Sequence, residues 1–99
     1  MKQFHNEDLE YLFRGILTLA TVEECSAFFE DVCTIKELQA IAQRFRVAAQ
    51  LNENKNYNEI QTQTGASSAT ISRVNKCLVY GSGGYATALQ RLAEENGNG

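Results

Sequence analysis

A cap-type residue followed three positions later by glutamate occurs three times, at Thr21-Val-Glu-Glu24, Thr34-Ile-Lys-Glu37 and Asn56-Tyr-Asn-Glu59, and no proline interrupts the chain anywhere. In such a pattern the Thr or Asn side chain takes a backbone N–H of the first helical turn, and the glutamate reaches back to the N–H of the cap, so each one opens a helix. Between these starts the apolar residues recur at steps of three and four. Leu9, Leu12, Phe13, Ile16 and Leu17 mark a helix over about Asn6 to Ala20; Cys25, Phe28, Phe29 and Val32 mark a second; Leu38, Ile41, Ala42, Phe45, Ala48 and Ala49 mark a third and longest, ending in the polar tract Asn52 to Asn56. This leaves little room for strands, and the chain reads as all-α.

The second half continues the pattern with shorter pieces. From Asn56 a short helix turns Ile60 inward and closes at Gly65, a residue suited to the left-handed end of a helix. A tight turn at Ala66-Ser67 follows, and Ser67 or Ser68 caps a helix with Ile71, Val74 and Leu78 as its buried stripe and Ala69, Ser72, Arg73 and Lys76 toward solvent. Gly81-Ser-Gly-Gly84 breaks the chain before a last short helix carrying Tyr85, Ala88, Leu89 and Leu92, and Glu94 to Gly99 reads as the start of a disordered tail. The expected organisation is therefore one domain over 1–99 with six helices: two in 1–33, a central helix in 34–55, a helix-turn-helix in 56–80, a C-terminal helix in 84–94 and a tail in 95–99. A 99-residue chain buries a modest share of its surface alone, so part of its core is expected from a second copy.

Several classes find no support. The amino end runs directly into acids at Glu7 and Asp8 instead of an apolar leader, and no apolar stretch spans a bilayer, which gives a soluble, cytoplasmic expectation with no membrane partner. Cys25, Cys33 and Cys77 are odd in number and form no C-x-x-C pair, so they read as reduced structural thiols and not as a disulfide framework or metal ligands. The lone His5 reads as surface. No carboxylate pair, Cys-His arrangement or phosphate loop stands out, and Gly81 to Gly84 lacks the strand and lysine of a nucleotide loop, so the chain is read as no enzyme with no cofactor. Phe4, Phe13, Phe28, Phe29 and Phe45 sit at helical spacings and read as core and dimer interface.

The net charge of −3 conceals an asymmetry: residues 1–37 hold eight acids against three bases, whereas residues 38–78 hold Arg44, Arg46, Lys55, Arg73 and Lys76 against Glu53 and Glu59. The basic excess coincides with the short helix pair. In a helix-turn-helix the second helix enters the DNA major groove by its N-terminal end, where small residues let the backbone approach the bases. Ser67, Ser68, Ala69 and Thr70 suit that end, with hydroxyls for phosphate or base edges and methyls for thymine; Ser72, Arg73 and Lys76 follow within two turns, the two cations better placed for phosphate. Lys55, Asn56 and Asn58 at the start of the first short helix complete the candidate DNA-binding set. The competing reading of the same spacing is a helical dimerisation or protein-interaction module that never meets DNA.

Thr34-Ile-Lys-Glu-Leu-Gln-Ala-Ile-Ala-Gln-Arg44, Tyr57-Asn-Glu-Ile60 and Gly65-Ala-Ser-Ser-Ala-Thr-Ile-Ser-Arg73 resemble the tryptophan repressor family in order and spacing, over about Val32 to Leu92, with closest likeness to its YerC/YecD-type branch. The resemblance implies a six-helix fold, an intertwined homodimer whose dimerisation helices in 1–33 interlock with the partner, and two reading heads on a near-palindromic double-stranded operator with half-sites ~34 Å apart. It also implies an effector site between the central and reading helices: Arg44 and Arg73 match its two arginines and Thr34 a lining residue. Val74 stands where the family's indole slot has glycine, and Cys77 where a serine hydroxyl receives the ligand's amino group. Added methyls in a flat slot cost about 1–3 kcal/mol, and a thiol accepts hydrogen bonds poorly, so the expectation is a different small-molecule effector or none, and not L-tryptophan. Asn58 and Gln61 fall where that family carries basic groups, which implies a weaker grip on the DNA backbone.

Overall fold

The computed structural model describes residues 6–97, and these form six helices and no strand: α1 (Glu7–Ile16), α2 (Val22–Val32), α3 (Ile35–Asn52), α4 (Tyr57–Thr64), α5 (Ser68–Tyr80) and α6 (Gly84–Gly97). Phe4 and His5, and the end of the tail at Asn98 and Gly99, lie outside the described residues. The caps are where local chemistry puts them. Asn6 accepts from the Leu9 amide at 2.8 Å, and Thr21 from the Glu24 amide at 3.0 Å. Thr34 and Glu37 close a reciprocal box at 3.1 and 2.8 Å, and Asn56 and Glu59 another at 2.9 and 3.0 Å. Each satisfies amides that the first turn leaves without an internal partner.

Two boundaries differ from the sequence expectation. α1 stops at Ile16 and not near Ala20, because the Leu19 amide turns back to the Ile16 carbonyl and the Thr18 hydroxyl takes the Gly15 carbonyl at 2.7 Å. α6 runs through Gly97, three residues beyond Glu94, with Gln90 donating to Glu94 at 3.2 Å across one turn.

The chain divides into two compact units, residues 1–38 and 39–99, with the division inside α3. In the first unit neither α1 nor α2 holds a fully buried residue. Phe28 and Phe29 meet edge to face at 5.2 Å, but Tyr11, Phe13, Leu17, Val22, Val32 and Ile35 are all exposed, Leu17 at 82%. The apolar side that periodicity assigns to α1 is thus present without a cover.

The second unit holds the core. Val47 and Ala48 of α3, Ile60 of α4, Ala66 of the following turn, and Ile71 and Val74 of α5 are buried together, with Leu51, Leu78, Tyr85 and Leu89 packed around them. α4 packs on α5, and α5 on α6; the Phe45 and Tyr85 rings stack at 6.4 Å, joining α3 to α6. On α3 the expected stripe is buried in part: Ala48 is fully buried and Leu38, Phe45 and Ala49 half-buried, but Ile41 and Ala42 are exposed, while Val47 and Gln50 are buried. The α4–α5 core thus closes over the C-terminal half of the helix, leaving its first turns uncovered.

Candidate nucleic-acid interface

The geometry around α5 begins at Gly65. It ends α4 with φ at +75°, and its N–H returns to the Gln61 carbonyl at 2.9 Å. A side chain rarely adopts that backbone region, which is why glycine serves where α4 must reverse into the turn. Ala66, 4% exposed, passes under the helices, and its amide donates to the Thr64 hydroxyl at 3.1 Å. Ser67 then caps α5, accepting from the Thr70 amide at 3.1 Å.

This capping separates the candidate DNA-binding residues into two groups. Ser67 and Thr70 share a hydroxyl-to-hydroxyl hydrogen bond of 3.1 Å, and Thr70 is half-buried, so their oxygens are engaged in holding the start of α5. Asn56 is likewise committed, its side-chain oxygen taken by the Glu59 amide. Lys55 is half-buried, donates to Gln63 at 3.1 Å and lies 3.6 Å from Glu53, so its charge is locally partnered. Ser68, Ala69, Ser72, Arg73 and Lys76 form the other group: all are exposed, and among the described residues none of their side chains enters a hydrogen bond or ion pair. Asn58 is exposed at the start of α4, with its backbone carbonyl accepting from Thr62 at 2.9 Å.

The exposed group is one stripe along α5. Ala69, Ser72, Arg73, Lys76, Val79 and Tyr80 line a shallow concavity with Asn75, spaced so that they repeat on one side of the helix. Val79 and Tyr80, 61% and 81% exposed, extend the stripe to the end of α5. The sequence reading stopped at Lys76, although steps of three and four from there lead to both.

The effector candidates are distributed differently. Arg44 and Arg73 are exposed on α3 and α5. Thr34 is exposed, with its side chain in the cap of α3. Val74, only 1% exposed, is enclosed in the core, where α5 packs it with Ile60 and Ile71. Cys77 is exposed and lines a second concavity of about 460 Å³ with Phe45, Gly81 to Gly84 and Tyr85. Cys25, Cys33 and Cys77 are all free thiols.

A short helix that packs on a second one through a left-handed glycine turn, with small and cationic side chains outward, is consistent with a helix-turn-helix. The chain belongs to the Trp repressor protein family, whose model matches residues 7–93. It is 50% identical to the uncharacterized protein YerC of Bacillus subtilis strain 168, over 93% of this chain and 88% of that one. The crystal structure of a TrpR-like protein from Eubacterium eligens superposes with a TM-score of 0.85 at 49% identity, covering 88% of this chain and 90% of that chain. A second solved structure, from Staphylococcus aureus, gives a TM-score of 0.86 at 42% identity over 89% and 88% of the two chains. The family is one of DNA-binding regulators and not of enzymes. No helix among the described residues is long and apolar enough to cross a membrane.

Proposed function

We propose that the protein is a homodimeric, sequence-specific transcriptional regulator, acting as a repressor, that binds a near-palindromic operator through α4 and α5. The observation that carries this is the outer stripe of α5, where Ala69, Ser72, Arg73 and Lys76 stand exposed beyond a start fixed by Gly65 and Ser67. Ser68 and Ala69 are small enough to let the backbone reach base edges, while Arg73 and Lys76 neutralise phosphates. Pairing is supported by the first 38 residues, where α1 and α2 bury nothing completely while Phe13, Leu17, Val22, Val32 and Ile35 face outward. Covering each such side chain contributes about 1.5–3 kcal/mol, the scale of driving force an intertwined second copy needs.

The protein works without L-tryptophan, either through another small effector or with none. Val74 is closed into the core, and Cys77 brings a thiol where a ligand's amino group would need an acceptor. Titration calorimetry with L-tryptophan is expected to show no binding at low micromolar concentration; a clear isotherm there overturns this part.

The main test is selection from a randomised duplex pool by the full chain, with and without a metabolite mixture. Near-palindromic sites are expected, with affinity falling steeply as salt rises. On the selected site, Arg73→Ala and Lys76→Ala should each lower the slope of log affinity against log salt by about 1. A pool without enriched sites, together with tolerance of charge reversal from Ser68 to Lys76, would favour a protein-interaction module instead.

A further inference from the structure

The core between α3, α4 and α5 is apolar, from Val47 and Ala48 to Ile60, Ile71 and Val74. Such packing is strong but non-directional, so by itself it leaves the pitch of α4 on α3 loosely specified. One polar contact supplies direction. Gln43 of α3 donates from its side-chain amide to the backbone carbonyl of Thr64 at 3.2 Å, in a half-buried position, and joins residues 21 apart in the chain. Every other side-chain hydrogen bond among the described residues spans eight positions or fewer.

The acceptor is well placed to matter. Thr64 is the last residue of α4, so its carbonyl has no partner of its own in the helix ladder. Gly65 follows in the left-handed conformation, and the Gln43 amide nitrogen is the nearest group, 4.0 Å from where a side chain at Gly65 would begin. Ala66 and the Ser67 cap come next, and then α5. The amide therefore lies over the joint from which α5 departs.

We infer that Gln43 is a positioning residue that pins this joint to α3 and so sets the direction in which α5 presents its outer stripe. The inference rests on the proposed DNA-binding function, and it names what the contact controls: the spacing of half-sites that the two heads of a dimer accept. A free joint lets each head swing, so that neighbouring spacings become nearly equivalent.

The test measures affinity of the full chain for the selected site and for versions with the half-sites moved by one or two base pairs. The wild-type protein should show a sharp optimum. Gln43→Ala should bind the best site about fivefold more weakly, as expected for one net hydrogen bond, and lose most of its preference between spacings. Gln43→Lys, which keeps an N–H donor on a longer stem, should restore the preference in large part. A role in stability alone would lower affinity on all duplexes by one factor and keep the optimum. An unchanged spacing profile for Gln43→Ala therefore overturns the inference.

Amide hydrogen exchange on the free protein separates this from the function it rests on. Gly65 and the first turn of α5 should exchange about fivefold faster in Gln43→Ala, with Val47 and Ala48 unchanged. If the wild-type protein binds no duplex, the DNA reading fails, and exchange alone decides whether Gln43 holds the joint; unchanged exchange at Gly65 refutes it.

Discussion

Replacing Gly81 by alanine probes how α5 ends. The residue sits at φ −82° and ψ −159°, a conformation that any amino acid adopts, so the dihedral angles do not demand glycine. Space does. A Cβ would lie 2.4 Å from the Cys77 carbonyl oxygen and 3.1 Å from its carbon, both backbone atoms that cannot swing aside. The same carbonyl accepts the Gly81 N–H at 2.8 Å. Relieving the overlap therefore means giving up that bond, a net loss of about 1 kcal/mol, and re-laying the last turn of α5 at a further ~1–3 kcal/mol. Stiffening of the unfolded chain offsets about 0.4–1 kcal/mol. The expected result is a destabilisation of about 1–3 kcal/mol, a drop in Tm of roughly 5–20 °C for a domain of this size. Gly84→Ala is the matched control, since Gly84 opens α6 and has nothing within 4 Å of its missing side chain. It should stabilise by about 0.5 kcal/mol. Both are read from thermal and urea unfolding by circular dichroism at one fixed chain concentration, because an assembling protein has a concentration-dependent midpoint. If the two substitutions shift stability in the same direction, the steric account of Gly81 is wrong.

Two further outcomes follow from single side chains. Asn56→Ala removes the side-chain acceptor of the cap on α4, while the backbone N–H at 56 still donates to Glu59, and it should cost about 1 kcal/mol in urea unfolding, with hydrogen exchange accelerated first at Asn58 and Glu59; uniform acceleration across α5 would contradict it. Gln50 is buried with its side-chain oxygen accepting nothing from the described residues, so Gln50→Met should be neutral or stabilising by up to about 2 kcal/mol; a loss above ~1 kcal/mol would show that the oxygen has a partner in solution.

Local chemistry was readable from the residues, and long-range packing much less so. Thr21, Thr34, Asn56 and Ser67 cap helices, and Gly65 takes the left-handed end, because each outcome depends on neighbours within four positions. Ile71 and Val74 followed from periodicity, since over its first turns α5 keeps its large apolar residues on one side. On α3 the same argument held for Ala48 but not for Ile41, Ala42 or Val47. Ile41, Ala42, Phe45, Val47, Ala48 and Ala49 surround it, so spacing cannot choose the buried face, and the choice falls to what α4 and α5 bring against it. Within the candidate interface, residue type alone did not separate Ser67 and Thr70, whose hydroxyls are tied to each other, from Ser68 and Ser72, which are free. Gln43 carried no signal, because a glutamine on a helix is ordinary until its acceptor 21 residues away is known.

Among the described residues the buried apolar ones all fall between Val47 and Val74, in the later part of the polypeptide. Ribosomes release the amino end first, so the uncovered sides of α1 and α2 emerge before any of that interior exists. Seven of the twelve acids lie in these same two helices. Like charges repel, so this acidic segment sets nascent chains on one messenger against the clumping that uncovered apolar sides invite. The negative leading segment would thus guard manufacture, while the basic excess of residues 38–78 is what the proposed function sets against phosphate.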